Sequence, residues 1–356
     1  QGIAQHRGEM LRLRLGLKGA QLAGLPWEVM NAGDRDGNAL FHSPLATGTD
    51  IAFSRYQSNI GIMGGRPVPP LEPSEPLRIL IVIADPTHGL GLDNEATQLS
   101  QELQHTSTTA VDGSPLPQVE VTVLEQPGRE QLTHTLEQGR FHVLNYGGQI
   151  SLDAAGEALY LVNPGIGLTE YLSGNDLAGL LVNNGIRMAV FCGGKHTVIP
   201  NPDTEKRERN LAETLVSRGI PAVLAMSEDT PYDVWMTLNR LFYRNLFQGY
   251  PIDLSLNRAR QGLISVYGSQ QFYWALPTLY LHPDYDGYLT PGARPLPNTP
   301  DRLQVLPKVA ESQPKLTLQR RRQSVQFFNE VLNENLSIEM MLIPSGSFLM
   351  GSPEGE

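Results

Sequence analysis

From residue 77 onward, short apolar runs alternate with stretches whose apolar residues recur at helical spacing. Residues 78–84, 119–124, 141–146, 187–192 and 221–226 predict strands, and a last short strand is predicted over 276–281. Between and after them, residues 93–105, 129–139, 174–184, 205–218, 232–248 and 252–264 predict helices. Runs such as Leu80-Ile81-Val82-Ile83 have no polar alternation, as a strand buried on both faces requires. The predicted fold is therefore α/β, a mostly parallel sheet with helices on both faces. Upstream, residues 12–17 alternate Leu with Arg or Gly like a half-buried strand, residues 22–28 predict a short helical or turn segment, and residues 51–60 predict a further extended stretch. The proline-rich segment 67–76 interrupts the pattern, because proline removes backbone donors.

Beyond His282, Pro, Gly, Asp and Asn dominate and apolar periodicity stops, which predicts a linker. The run Arg320-Arg321-Arg322 near its end reads as a solvated segment. The chain then resumes with a predicted short helix over 325–332 and an apolar, strand-like run over 340–350. The expected organisation is 1–76 as N-terminal strands, 77–282 as the α/β core, 283–322 as linker and 323–356 as the start of another domain. Gln1 stands where an initiating methionine would, so an excerpt of a longer protein is expected.

Composition narrows the function. A formal net charge of -10 over 356 residues argues against nucleic acid or an anionic membrane as partner, since either needs clustered Lys and Arg. Cys192 is the only cysteine, which excludes an intrachain disulfide and a multi-cysteine zinc site and fits a reducing, cytoplasmic compartment. No apolar run approaches the ~20 residues that span a bilayer, and the first residues are too polar for a signal peptide. No cofactor is expected, and the protein partner or ligand stays unidentified.

Several segments, in order, resemble the CHAT family, a caspase-like branch of cysteine peptidases common in bacterial multidomain proteins. Leu22-Ala23-Gly24-Leu25-Pro26-Trp27-Glu28 is similar to that family's early Leu-Pro-Trp-Glu signature, and residues 77–86 with 92–103 to its first core strand and helix. Residues 173–181 resemble the segment before its nucleophile strand. Residues 211–226, containing Gly219-Ile220-Pro221-Ala222-Val223, resemble the helix and strand after it. The resemblance covers residues 10–282 and implies a caspase-like fold. A second resemblance sits in the tail: Ile338-Glu339-Met340-Met341-Leu342-Ile343-Pro344-Ser345-Gly346-Ser347-Phe348-Leu349-Met350-Gly351-Ser352 is similar to the opening of a formylglycine-generating-enzyme-like domain. That implies a C-type-lectin-like fold, a ligand-binding module, and a protein of the bacterial, retroelement-diversified kind.

An active CHAT peptidase needs a cysteine thiolate and a histidine at neighbouring strand ends. The family's histidine stands in a Gly-His-Gly turn. Here Phe141-His142-Val143-Leu144-Asn145-Tyr146 leads into Gly147-Gly148-Gln149-Ile150, so Gln149 takes the position of the base. The family's nucleophile strand aligns without gaps on residues 186–194, which puts Gly194 at the nucleophile and leaves Cys192 two positions early. Glutamine does not titrate and glycine has no thiol, so the resemblance implies a degenerate dyad and a pseudo-peptidase acting as a scaffold or interaction module.

The alternative is an active peptidase using Cys192 with a displaced His196. A metal site from Cys192, His196 and His88 matches no ligand spacing. A third reading makes the whole protein a ligand receptor with the CHAT part as spacer. His142, within a strand, is expected to be a surface residue or a satisfied partner. Loops leaving the carboxyl ends of the strands are expected to line a recognition cleft with Asp85, His88, Gly148, Lys195, Glu228 and Asp229.

Overall fold

The computed structural model describes residues 10–17, 22, 24–31, 44–49, 51–57, 71, 75–84, 92–104, 117–153, 156–162, 169–192, 195–197, 210–228, 230–289, 327–333 and 336–341. The large sheet contains β1 (Leu11–Leu17), β2 (Ile51–Gln57), β3 (Leu77–Ala84), β4 (Val119–Glu125), β5 (Val143–Gly148), β9 (Met188–Cys192), β11 (Ala222–Met226) and β12 (Pro277–Leu281), in the order β1-β2-β12-β11-β9-β5-β3-β4. Every neighbouring pair is parallel except β11 with β12. The mostly parallel α/β architecture expected from the apolar runs is thus the observed one. β4 lies at the edge and alternates Glu and Thr outward, whereas β3, two places from β5's other neighbour β9, is buried along nearly its whole length.

Alternation along the strands sends side chains to two cores. Ile79, Ile81, Ile83, Val143, Met188, Val190 and Leu224 face α1 (Leu92–Gln104), α5 (Tyr232–Leu246) and α6 (Ile252–Tyr267). Leu80, Val82, Leu144, Tyr146, Ala189, Phe191 and Val223 face α2 (Arg129–Gly139), α3 (Gly174–Asn183) and α4 (Leu211–Ser217). Local chemistry marks the helix starts: Ser173 caps α3 by accepting the Asp176 N–H at 3.2 Å, and Asn210 caps α4 by accepting the Ala212 N–H at 2.8 Å. α4 is shorter than the expected 205–218, whose first residues lie outside the described ones.

A second, four-stranded sheet was not anticipated. It comprises β6 (Ile150–Asp153), β7 (Gly156–Val162), β8 (Thr169–Ser173) and β10 (Lys195–Thr197), ordered β10-β6-β7-β8. Ile150, Leu159, Leu161 and Leu172 from it join the core beneath α2, α3 and α4. Pro283 to Leu289, expected to begin the linker, instead hold to this domain. Leu289 and Tyr285 are buried or half-buried, and Arg14 donates to the carbonyls of Pro283 at 2.8 Å and Tyr285 at 2.5 Å.

A second compact unit spans residues 301–356. Its described part is an antiparallel pair, β13 (Phe327–Asn333) and β14 (Leu336–Met341). Of the helix expected over 325–332, the described part from Phe327 is therefore a strand, because pairing with β14 satisfies its backbone. Among the described residues no helix is long and apolar enough to cross a membrane.

Candidate functional site

The carboxyl edge of β5 is built around one buried tyrosine. Tyr146 lies with its hydroxyl 2.8 Å from the Gln149 carbonyl oxygen and 2.7 Å from that of Tyr160, while the Tyr160 N–H donates to the Gln149 carbonyl at 3.1 Å. Burial pushes the Tyr146 phenol far above its ordinary range, so it stays a neutral donor. The end of β5 under this clamp admits only glycine at 148. A Cβ there would sit 2.6 Å from the Ala84 carbonyl oxygen and 2.6 Å from the Tyr146 hydroxyl. At Gly147 a Cβ would meet Ile83 at 3.2 Å and Trp235 of α5 at 3.3 Å. Gln149 is half-buried between β5 and β6.

The two strand ends implied for the dyad are neighbours. β5 pairs with β9 up to Gly147 opposite Cys192, and β6 pairs in parallel with β10 from Ile150 opposite Lys195. The register is the same on both sides, 147 with 192 and 150 with 195. Gly194 itself lies outside the described residues, as do Asp85, His88 and Asp229.

Parts of two expected loops are therefore extended strands. Ile150 and residues 195–197 continue as β6 and β10 instead of splaying from the edge, because each finds a paired neighbour there. Lys195 opens β10, and His196 is held opposite Ser151 in the same ladder. Cys192 is the last residue of β9. Glu228, just after β11, is exposed, and its carbonyl accepts the Thr230 hydroxyl at 3.0 Å. Among the described residues no cluster of His, Cys, Asp and Glu is arranged to hold a metal ion.

His142 is at the other end. It precedes β5 by one position, ~20 Å along the strand from Gly148 at the usual rise per residue. It is buried and partnered, with Nδ1 accepting the Arg78 N–H at 3.1 Å, in line with the satisfied alternative read from the sequence.

Two buried polar groups had no structural role assigned from the sequence. Asn145, fully buried in the middle of β5, donates to Asn239 Oδ1 and to the Tyr243 hydroxyl, both at 3.1 Å, tying the strand to α5. A polar residue inside an apolar strand was the available signal. The other is Glu28, in the turn Trp27–Val29, which accepts from Arg55 Nε at 3.0 Å and pairs with Arg55 Nη2 at 2.5 Å. Arg260 of α6 lies 4.0 Å from the same carboxylate and also donates to the carbonyls of Ala46 and Pro277 and to Asn257 Oδ1. Burial pushes the Arg260 guanidinium down to about 10. Burial works the same way on Arg55, but the hydrogen bond and charge of Glu28 outweigh it and hold that guanidinium above its ordinary value. The Leu-Pro-Trp-Glu segment is thereby a structural lock of the N-terminal strands onto the core.

Comparison with known proteins gives one family match, to the model described as CHAT domain, over residues 1–281. No curated protein sequence matches the chain. Among solved structures it is similar to two crystal structures of the Saccharomyces cerevisiae separase-securin complex, at 13% identity with a TM-score of 0.42 and at 11% identity with a TM-score of 0.39. Each match covers 76% of this chain and 15% of the other, so the chain spans about 15% of the length of those structures.

Proposed function

This chain belongs to the CHAT domain family, and from that premise we propose that its α/β domain is a catalytically inactive member, a pseudo-peptidase serving as scaffold or protein-interaction module. The observation that carries the reading is Gln149. It stands between β5 and β6, where the family resemblance puts the general base, and Tyr146 and Gly148 fix that strand end tightly. An amide side chain neither withdraws a thiol proton nor protonates a leaving amine. Gly194, which the resemblance puts at the nucleophile position, has no thiol. The displaced alternative draws no support from His196, whose backbone is committed to the β6–β10 ladder.

The tail extends the proposal. The resemblance carried by residues 338–352 makes the second unit the start of a formylglycine-generating-enzyme-like, C-type-lectin-fold module, so the whole protein is a multidomain ligand binder, of the retroelement-diversified bacterial kind and cytoplasmic. The deciding experiment incubates the full chain with a peptide library that includes Arg, Lys or Asp before the cut, alongside a cysteine-directed covalent probe. No turnover and slow labelling are expected. Cleavage that disappears in Cys192→Ala, or rapid stoichiometric labelling of Cys192 near neutral pH, would establish an active peptidase instead.

A further inference from the structure

His142 has no part in the strand end at Gln149, yet the amino ends of three strands of the large sheet converge on it. Its backbone N–H donates to the Arg78 carbonyl at 2.9 Å, and its carbonyl accepts the N–H groups of Arg187 at 2.8 Å and Met188 at 3.2 Å. Its side chain adds a further bond, accepting the Arg78 N–H on Nδ1 at 3.1 Å, while Nε2 lies 3.5 Å from Glu75 Oε1. Arg78 and Glu75 belong to the segment that enters β3, so this imidazole pins that segment to β5.

The pin depends on protonation state. A ring nitrogen that accepts an N–H carries no proton of its own, and placing one there turns it into a second donor facing the first. The bond from Arg78 is then lost. The charged groups around the ring are Glu75, whose carboxylate favours the imidazolium, and Arg187 and Arg78, which oppose it. Burial opposes it most, and the net effect holds the imidazole below the ordinary histidine range.

We propose that His142 is an acid-sensitive latch, in which a proton taken from solvent onto Nδ1 breaks the Arg78 N–H bond and frees the entry to β3 from β5. The imidazolium then turns toward the half-exposed Glu75 carboxylate. Because the folded state favours the neutral ring, the stabilisation is complete above the ordinary histidine value of about 6.5 and is lost as pH falls below it.

The test is amide-resolved hydrogen exchange on the full chain at about pH 7.5 and about pH 5, corrected for intrinsic rates. The Arg78 amide is expected to lose about tenfold in protection at the lower pH, while the central amides of Val190 and Leu224 keep theirs. In His142→Asn the amide oxygen accepts at both pH values, and the pH effect at Arg78 should vanish. Unchanged Arg78 protection in the wild type, or an equal loss in His142→Asn, overturns the latch. Should the variant fail to fold, nitrogen NMR of the wild type decides. A neutral ring protonated on Nε2, whose titration moves the Arg78 amide signal, supports the proposal, and a ring protonated on Nδ1 or an Arg78 signal that ignores the titration refutes it.

Discussion

Replacing Glu28 with Gln tests whether the early Leu-Pro-Trp-Glu signature is a structural lock. The change keeps shape and one accepting oxygen but removes the charge that faces Arg55 and Arg260, all three side chains being almost wholly buried. At an effective dielectric constant of about 20, a pair of unit charges at ~4 Å is worth roughly 4 kcal/mol before desolvation, and breaking a buried pair by removing one partner costs about 3–5 kcal/mol. Arg260 retains the Ala46 and Pro277 carbonyls and Asn257, and Arg55 retains the Leu25 carbonyl at 2.9 Å, so the lower end applies and a loss of about 3 kcal/mol is expected.

The assay is urea unfolding at constant slope, with the midpoint carrying the change. A double-mutant cycle with Arg55→Met should show a coupling of at least about 1 kcal/mol, because the apolar partner no longer strands a charge. A loss under about 1 kcal/mol, or strict additivity of the two substitutions, would refute the lock.

Gly148→Ala should destabilise the domain by about 1–3 kcal/mol in the same unfolding assay, since the new methyl must displace the Ala84 carbonyl or the Tyr146 hydroxyl. Tyr146→Phe should cost about 1 kcal/mol in that assay and raise hydrogen exchange at the Tyr160 amide, because the two carbonyls lose their shared hydroxyl donor. Asn210→Ala removes the cap of α4, and a loss of about 1 kcal/mol with faster exchange at the Ala212 amide is expected.

Sequence alone determined the elements whose pattern is local. β3 was legible because Leu80 to Ile83 are apolar on both faces, and α2 matched residue for residue because Leu132 and Leu136 mark one buried stripe behind a glycine start. Gln149 was legible only as a residue type at the position that the family resemblance assigns to the base. What the tertiary structure decided depends on partners remote along the chain. The small sheet is of this kind, since β6 becomes a strand because β7 and β10 arrive beside it. The same holds for the site. Gly148 is obligatory because of the Ala84 carbonyl on a neighbouring strand, Glu28 is a lock because Arg55 and Arg260 converge on it, and His142 is a pin because Arg78 presents its N–H. Periodicity encodes which face a residue turns inward, but hydrogen bonds and charges are short-ranged in space, so their roles appear only when the fold has brought the partners together.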